Sequence, residues 1–151
     1  MIRFVVVALV ALGVLGATLV PARVSADKDA EKMAERYVEA ANTGNIDLLD
    51  AIVAEDVTSS GQESGLDALK ARLTDGRSPS APYSEWQYKV IKVVAEGDTI
   101  AAHLQFTATM RTNGEEITTE VMSFWHLNDA GKIAEMITVV DIEPILKAMG
   151  Q

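Results

Sequence analysis

The spacing of hydrophobic residues changes once along the chain, from helical intervals in the first half to alternation in the second. From Asp29 onward, Ala30, Met33, Tyr37 and Ala41 recur every three or four residues, with charged residues between them. This spacing predicts an amphipathic helix whose apolar side, including Tyr37, faces the core.

Two further helices are predicted after Gly44, since glycine suits the left-handed backbone that ends many helices. Asn45 is placed to cap a short second helix, while Ser64 and Asp67 have the spacing of a capping box that begins a third. Residues 54–63 would connect the two. Their apolar residues are Leu48, Leu49, Ile52 and Val53 in the second helix, and Leu66, Leu69 and Leu73 in the third.

Four segments rich in β-branched and aromatic residues follow, separated by turn sequences. They cover residues 84–95, 99–110, 117–127 and 132–140. Such segments predict strands, and helices followed by hairpin-linked strands are typical of an α+β fold with an antiparallel sheet.

The turn sequences predict how these strands pair and which side chains share a face. A two-residue turn at Asn113 and Gly114 would place Phe106 opposite Val121. The following turn would place Leu127 opposite Lys132. The resulting inner face is almost wholly apolar, and its polar members are Thr119, Ser123 and Thr138.

The opposite, outer face of the predicted sheet contains more apolar residues than a solvated surface normally does. Met122, Phe124, Ile133 and Ile137 lie on it by the same register. Apolar surface of this kind commonly marks a contact between subunits, so the pattern predicts a homodimer centred on Met122, Phe124 and Ile137. The alternative is a monomer whose own chain covers this face.

The N-terminal segment has the composition of a secretory signal peptide. Arg3 precedes an apolar run over residues 4–20, and small residues end the segment at Ala26. This predicts export, to the periplasm or outside the cell, after cleavage near Ala26. The domains would then be a signal peptide, 1–26, and an α+β domain, 27–151. The alternative is a retained membrane anchor formed by residues 4–20.

Charge and composition narrow the classes of partner. The net charge of the 151-residue chain is −9, and loss of residues 1–26 would remove two arginines and no acid, which gives −11. Nucleic acid and anionic membrane surfaces are therefore not expected as partners. The chain has no cysteine, so neither disulfides nor thiol chemistry is available. His103 and His126 lie on the outer face without a third ligand, so no metal or other cofactor is expected.

Four stretches together resemble a SnoaL-like domain of the nuclear transport factor 2-like superfamily. They are ERYVEAANTGNIDLLDAIVAEDV, the GLDAL helix, EGDTIAAHLQFTATM, and NDAGKIAEMITVVDIEPILKAMG. The resemblance covers residues 29–150. It implies a cone, in which a strongly curved antiparallel sheet wraps around the N-terminal helices and encloses a pocket. Such domains include steroid-isomerase-like, polyketide-cyclase-like and limonene-epoxide-hydrolase-like enzymes and many non-catalytic proteins, so the fold alone does not determine function.

The resemblance to steroid isomerases is partial. Tyr37 matches the tyrosine that donates a hydrogen bond to a developing oxyanion, and Met136 matches a pocket-lining methionine. The general base of those enzymes, however, falls near Gly61, and the acid beside the tyrosine falls at Ser123. Glu63 is the nearest carboxylate that could replace the base, so Tyr37 and Glu63 are the candidate catalytic pair.

The other enzymatic patterns are matched less well. The Arg and Asp of epoxide hydrolases fall at Leu104 and Phe106, and their last-strand Asp falls at Thr138. The histidine region of polyketide cyclases contains Thr109, and their late acid again falls at Thr138. These differences argue against both chemistries.

Three functions follow from the sequence. The first is binding of a small apolar molecule in the cone, or a non-catalytic role without a ligand. The second is a dimeric interaction module that uses the outer face. The third is an isomerase or cyclase in which Tyr37 is the oxyanion donor and Glu63 the base. The predicted pocket residues are Tyr37, Leu104, Phe106, Val121, Ser123, Trp125, Met136, Thr138 and Val140.

Overall fold

The computed structural model describes residues 19–60 and 64–150. Within these residues, three α-helices, a 3-10 helix and five strands form an α+β fold, as predicted. The strands form one sheet in the order β1-β5-β4-β3-β2. The elements are α1 (Leu19–Thr43), the 3-10 helix (Ile46–Ala51), β1 (Val53–Ser59), α2 (Leu66–Asp75), β2 (Tyr83–Glu96), β3 (Thr99–Met110), β4 (Glu116–Leu127), β5 (Ile133–Val140) and α3 (Glu143–Ala148).

Helix α1 has the predicted apolar side. Ala30 and Ala41 are buried in the core, and Tyr37 is only 8% exposed. The helix ends before Gly44, whose φ of 74° is left-handed. Its N-terminal end lies before the predicted cleavage point at Ala26, and the signal-peptide assignment stays a prediction because residues 1–18 lie outside the described residues. Within the described ranges, no helix is both long and apolar enough to span a bilayer.

One predicted helix cap was correct in position and the other was wrong. Asn45 is the N-cap residue of the short helix, although its side chain makes no capping hydrogen bond. The short helix ends at Ala51, so Val53 instead begins β1. At the start of α2 the capping position is Gly65, with a φ of 102°, and not Ser64. Apolar spacing therefore located the helices, while their first residues depend on the backbone path.

Strand β1 lies where a connection was predicted, and it makes the sheet mixed. It pairs in parallel with β5, with an irregularity between Val53 and Thr58. That irregularity disturbs the alternation of buried and exposed residues along β1, which explains why the pattern did not indicate a strand. Parallel pairing of distant segments also leaves no turn signal in the sequence.

The pairing of β3 with β4 differs from the prediction by two residues. Phe106 faces Thr119, not Val121, because the Met110 amide donates to the Glu115 carbonyl at 2.8 Å and four residues, not two, form the loop. A shift of two residues keeps every side chain on its predicted face, because side chains alternate with a period of two.

A bulge between β4 and β5 corrects the predicted face of one residue. The pairing steps from His126 opposite Glu135 to Leu127 opposite Ile133, so Ala134 is the extra residue. One extra residue reverses the orientation of what lies beyond it. Ile133, predicted on the outer face, is therefore fully buried.

Helix α1 supplies hydrogen-bond partners to the edge strand β2. The Asn42 amide group accepts a hydrogen bond from the Tyr88 backbone N–H and donates one to the Tyr88 carbonyl, both at 2.8 Å. Nearer the start of the helix, the Asp27 carboxylate accepts one from the Ala95 backbone N–H at 3.1 Å. The unpaired backbone of an edge strand is thus partly satisfied by helix side chains.

Candidate functional site

A cavity of about 380 Å³ opens between the helices and the inner face of the sheet. Side chains from α1, the end of β1, α2 and strands β2 to β5 form its wall, together with α3. The lining residues are Tyr37, Ser59, Ser60, Arg72, Leu73, Gly76, Pro82, Tyr83, Trp86, Tyr88, Phe106, Val121, Thr138, Val140 and Ile145.

The cavity wall contains five of the nine residues assigned to the pocket from the sequence. These are Tyr37, Phe106, Val121, Thr138 and Val140. Thr138 is exposed at the cavity. The other four lie in the core beneath the wall and are at most 3% exposed: Leu104, Ser123, Trp125 and Met136.

The Tyr37 ring separates Trp125 from the cavity. The two ring centroids are 5.3 Å apart, so the Trp125 ring packs against Tyr37 on the side away from the cavity. The Trp125 indole N–H donates to the Ser123 hydroxyl at 2.7 Å, and that hydroxyl is 3.1 Å from the Thr138 hydroxyl. Ser123 therefore satisfies the buried tryptophan, which explains a polar residue on an apolar face.

The third polar residue of the inner face, Thr119, takes no part in the cavity. Its hydroxyl donates to the Asp141 carbonyl at 2.5 Å and so fixes the chain after β5. Of the three polar residues predicted on the inner face, Thr119 and Ser123 thus make hydrogen bonds that stabilise the fold. Thr138 alone among the three lines the cavity.

One side of the cavity is an aromatic wall formed mainly by β2. Tyr83 and Tyr88 each pack within 5.5 Å of the Phe106 ring, centroid to centroid, and Trp86 lies 5.6 Å from Tyr88. The Trp86 indole N–H donates to the Gly76 carbonyl at 2.7 Å. We define the aromatic wall as Tyr83, Trp86, Tyr88 and Phe106. Sequence reasoning missed its β2 members. Alternation could have identified Trp86 and Tyr88, but the irregularity between Tyr83 and Glu85 takes Tyr83 out of that pattern.

Arg72 is the cationic group of the cavity wall, and the sequence did not indicate it. It lies near the end of α2, beside the inward-facing Leu73, and its Nη1 is 3.5 Å from the Ser59 hydroxyl. Arg72 and Tyr37 line the same cavity, and the charge of Arg72 opposes the rise in the pKa of the Tyr37 phenol. Among the described residues, no carboxylate oxygen lies within 4.0 Å of the Arg72 guanidinium.

Burial keeps the cavity tyrosines neutral. Desolvation raises the pKa of Tyr37 above its ordinary value, and the nearby Arg72 charge only partly opposes this. Burial likewise raises the pKa of Tyr88, with the Tyr37 phenol adding to the effect, and burial raises the pKa of Tyr83. At physiological pH these groups can donate hydrogen bonds but cannot accept a proton as a base.

An alkaline titration should reveal this common environment, because the chain has only these 3 tyrosines. We expect folded protein at pH 10.0, the ordinary tyrosine pKa, to show less phenolate absorbance than the unfolded protein, because the pKa of each tyrosine is raised. Since the folded state favours the neutral phenols, their contribution to stability is complete below about pH 10 and is lost as pH rises further. Tyr37→Phe should weaken that alkaline loss of stability. Equal phenolate absorbance in the folded and unfolded protein at pH 10.0 would contradict the assignment.

The described wall contains no proton acceptor suited to acid–base catalysis. None of the described lining residues has a carboxylate or an imidazole. Gly61 and Glu63, the predicted base positions, lie outside the described residues. His103 and His126 lie on the outer face, as predicted, where the Nε2 atom of His103 is 2.5 Å from a Glu120 oxygen.

The outer face of the sheet exposes a contiguous group of apolar side chains. Val94, Ala101, Phe124 and Ile137 form one row across four strands, and Met122 lies beside Val139 in the next row. We define the outer apolar patch by its larger members, which are 37–58% exposed: Val94, Met122, Phe124, Ile137 and Val139.

The family comparison agrees with the resemblance inferred from the sequence. A family model described as a SnoaL-like domain matches residues 34–136. No curated protein matches the chain significantly.

Two solved structures illustrate the likeness of fold. TsrD from Streptomyces laurentii is 17% identical and has a TM-score of 0.72, with 82% of this chain and 97% of TsrD covered. A SnoaL-like polyketide cyclase from Agrobacterium tumefaciens is 20% identical and has a TM-score of 0.67, with 80% of this chain and 98% of the cyclase covered. These similarities confirm the predicted cone fold, with a mixed sheet in place of a wholly antiparallel one.

Proposed function

Because this chain belongs to the SnoaL-like domain family, we propose that it uses the cavity of its cone to bind a small, planar, largely apolar molecule. The observation behind this proposal is the aromatic wall, which faces a cavity that the described side chains leave open. Flat aromatic surfaces favour flat ligands, through offset stacking and edge-to-face contacts.

The size of the cavity limits the ligand. Its volume of about 380 Å³ is near the lower end of the roughly 300–1,000 Å³ typical of small-molecule sites. A molecule of one or two fused rings would fill it, and a larger one would project from the mouth. With about 0.3 kcal/mol or more per non-hydrogen atom, a bicyclic ligand should bind in the micromolar to millimolar range.

Polyketide cyclase activity, named for one structural neighbour, is not the function that we propose. A cyclase or isomerase needs a group that takes a proton, and the described wall offers hydroxyls and a guanidinium. Were Glu63 to approach the cavity, the charge of Arg72 would lower the pKa of its carboxylate and weaken it as a base.

Binding of 2-naphthamide, a neutral planar probe, tests the proposal. Quenching of tryptophan fluorescence should report binding, because one tryptophan is in the cavity wall and the other is beneath Tyr37.

Thr138→Trp, which fills the cavity, should weaken the affinity at least about tenfold. Thr118→Trp is the matched control on the outer face, and it should leave the affinity unchanged. Failure of the wild-type protein to bind the probe would contradict the proposal, as would unaltered binding by Thr138→Trp.

A second function, self-association, is supported by the outer apolar patch. We propose that the patch forms a homodimer contact with a second copy of this chain. The surrounding charges suit such a contact, since Lys89 and Lys92 lie on β2 while Glu120 and Glu135 lie on β4 and β5. A two-fold axis parallel to the strands would place the lysines of each copy over the carboxylates of the other. Sedimentation equilibrium should show a dimer at micromolar concentration.

A further inference from the structure

We propose that the cavity selects anionic ligands, specifically planar aromatic carboxylates, through a subsite formed by Arg72 with the hydroxyls of Tyr37, Ser59 and Tyr88. This inference rests on the proposed ligand-binding function. It adds the chemical class of the ligand and the end of the cavity at which its charged group binds.

Arg72 differs from the neighbouring arginines, whose guanidinium groups bond to the backbone. Arg77 donates to the Ala41 carbonyl and lies 4.3 Å above the Trp86 ring, so its role is to join α1 to the loop after α2. Arg111 donates to two backbone carbonyls, one of them that of Tyr83. Both guanidinium groups therefore hold the fold together.

Lys70, two residues before Arg72 on the same helix, is a cation whose charge is paired with carboxylates. Its ammonium group pairs with Asp50 at 2.5 Å and lies 3.9 Å from Asp47. Among the described residues, the Arg72 side chain has instead one long hydrogen bond, to the Ser59 hydroxyl at 3.5 Å. A guanidinium has five N–H donors, so the described residues leave most of its hydrogen-bonding capacity unused.

The groups that share the cavity wall with Arg72 complement an anion. Tyr37 and Tyr88 are kept in the neutral, donating form by burial, which raises the pKa of both. The Ser59 hydroxyl lies 3.5 Å from the Arg72 guanidinium, and Ser60 also lines the cavity. A carboxylate accepts up to about four hydrogen bonds and pairs with a guanidinium in two parallel ones.

The remainder of the cavity suits the aromatic part of such a ligand. Beyond the polar end, the cavity is bounded by the aromatic wall, Val121 and Val140. A small inorganic anion would leave this apolar surface without a partner, whereas an aromatic acid uses both ends of the cavity. The acidity of the protein as a whole, with a net charge of −9, makes a local cationic site the more necessary for an anion to bind.

Comparison of 2-naphthoate with 2-naphthamide tests this inference, because the two probes have the same shape and differ in charge. Isothermal titration calorimetry at neutral pH should show that the wild-type protein binds the acid about 10- to 100-fold more tightly than the amide, as expected for a charge-assisted hydrogen bond. Arg72→Gln should abolish this preference and leave the affinity for the amide nearly unchanged. Arg36→Gln is the matched control, since Arg36 is exposed on α1, and it should retain the preference.

The possible outcomes separate this inference from the function on which it rests. Equal affinities in the wild-type protein would overturn the anion subsite and leave the ligand-binding proposal in place, as would a preference that persists in Arg72→Gln. Absence of binding by both probes would overturn both. Should Arg72→Gln fail to fold, Arg72→Lys is tested in its place. This variant keeps the charge but loses the paired hydrogen bonds, so it should reduce the preference for the acid without abolishing it.

Discussion

Replacement of Trp125 by alanine is expected to lower the free energy of unfolding by about 3–5 kcal/mol, as is typical of a fully buried aromatic residue. Trp125 has no exposed surface, and its ring supports Tyr37 at the base of the cavity. Its removal would leave a large void and deprive the Ser123 hydroxyl of its indole donor. Urea unfolding followed by circular dichroism measures the change.

Two controls identify the source of this loss. Trp125→Phe keeps most of the ring volume but removes the indole N–H, so it should cost less than the alanine variant. Ile91→Ala removes an apolar side chain that is 45% exposed and should change stability by no more than about 0.5 kcal/mol. A loss below about 1 kcal/mol for Trp125→Ala would mean that the core closes around the void and that Trp125 is not essential to the packing beneath Tyr37.

Introduction of a charge at Phe124 should dissociate the proposed homodimer. Phe124 lies in the middle of the outer apolar patch, between Ala101 and Ile137 of the neighbouring strands. At the centre of an interface, such a residue commonly contributes about 2–4 kcal/mol, and loss of this amount raises the dissociation constant about 30- to 1,000-fold. Sedimentation equilibrium of Phe124→Lys should therefore show monomer at concentrations where the wild-type protein is a dimer.

The matched control for that experiment is Thr118→Lys, which introduces the same charge on the same face of β4, outside the patch. It should leave the association unchanged. A wild-type protein that stays monomeric at all concentrations would refute the dimer, and equal weakening by both lysine variants would indicate a general effect of charge. The fold of each variant can be verified by its unfolding transition, because both positions face away from the core.

The sequence predicted those features that depend on periodicity. Helical spacing placed Tyr37 in the core, and alternation placed Phe106 and Thr138 on the inner face, although both hairpin registers were wrong by two residues. Periodicity has this tolerance because an even shift leaves the faces unchanged. Ile133 shows the limit, since a single bulged residue reversed its orientation.

The features that were missed depend on contacts between distant segments. β1 is a strand because it pairs with β5, some 80 residues later, and no local signal predicts this pairing. Arg72 was missed for a related reason, because a charged residue on a short helix is usually solvated, and its direction becomes clear only when Tyr37 and Ser59 are placed beside it. The polar end of the cavity is thus a product of tertiary structure, whereas its apolar lining is partly visible in the sequence.

The hydrogen bonds that α1 makes to β2 also bear on how molecules of this protein can meet. Asn42 and Asp27 occupy backbone groups through which a strand of another chain would add to the sheet. Strand addition at exposed edges is a common route to fibrils and domain-swapped polymers. Because the backbone groups of Tyr88 and Ala95 are occupied, addition of a second copy's strand to β2 is hindered. The proposed contact at the outer face would therefore form closed pairs and not open-ended chains.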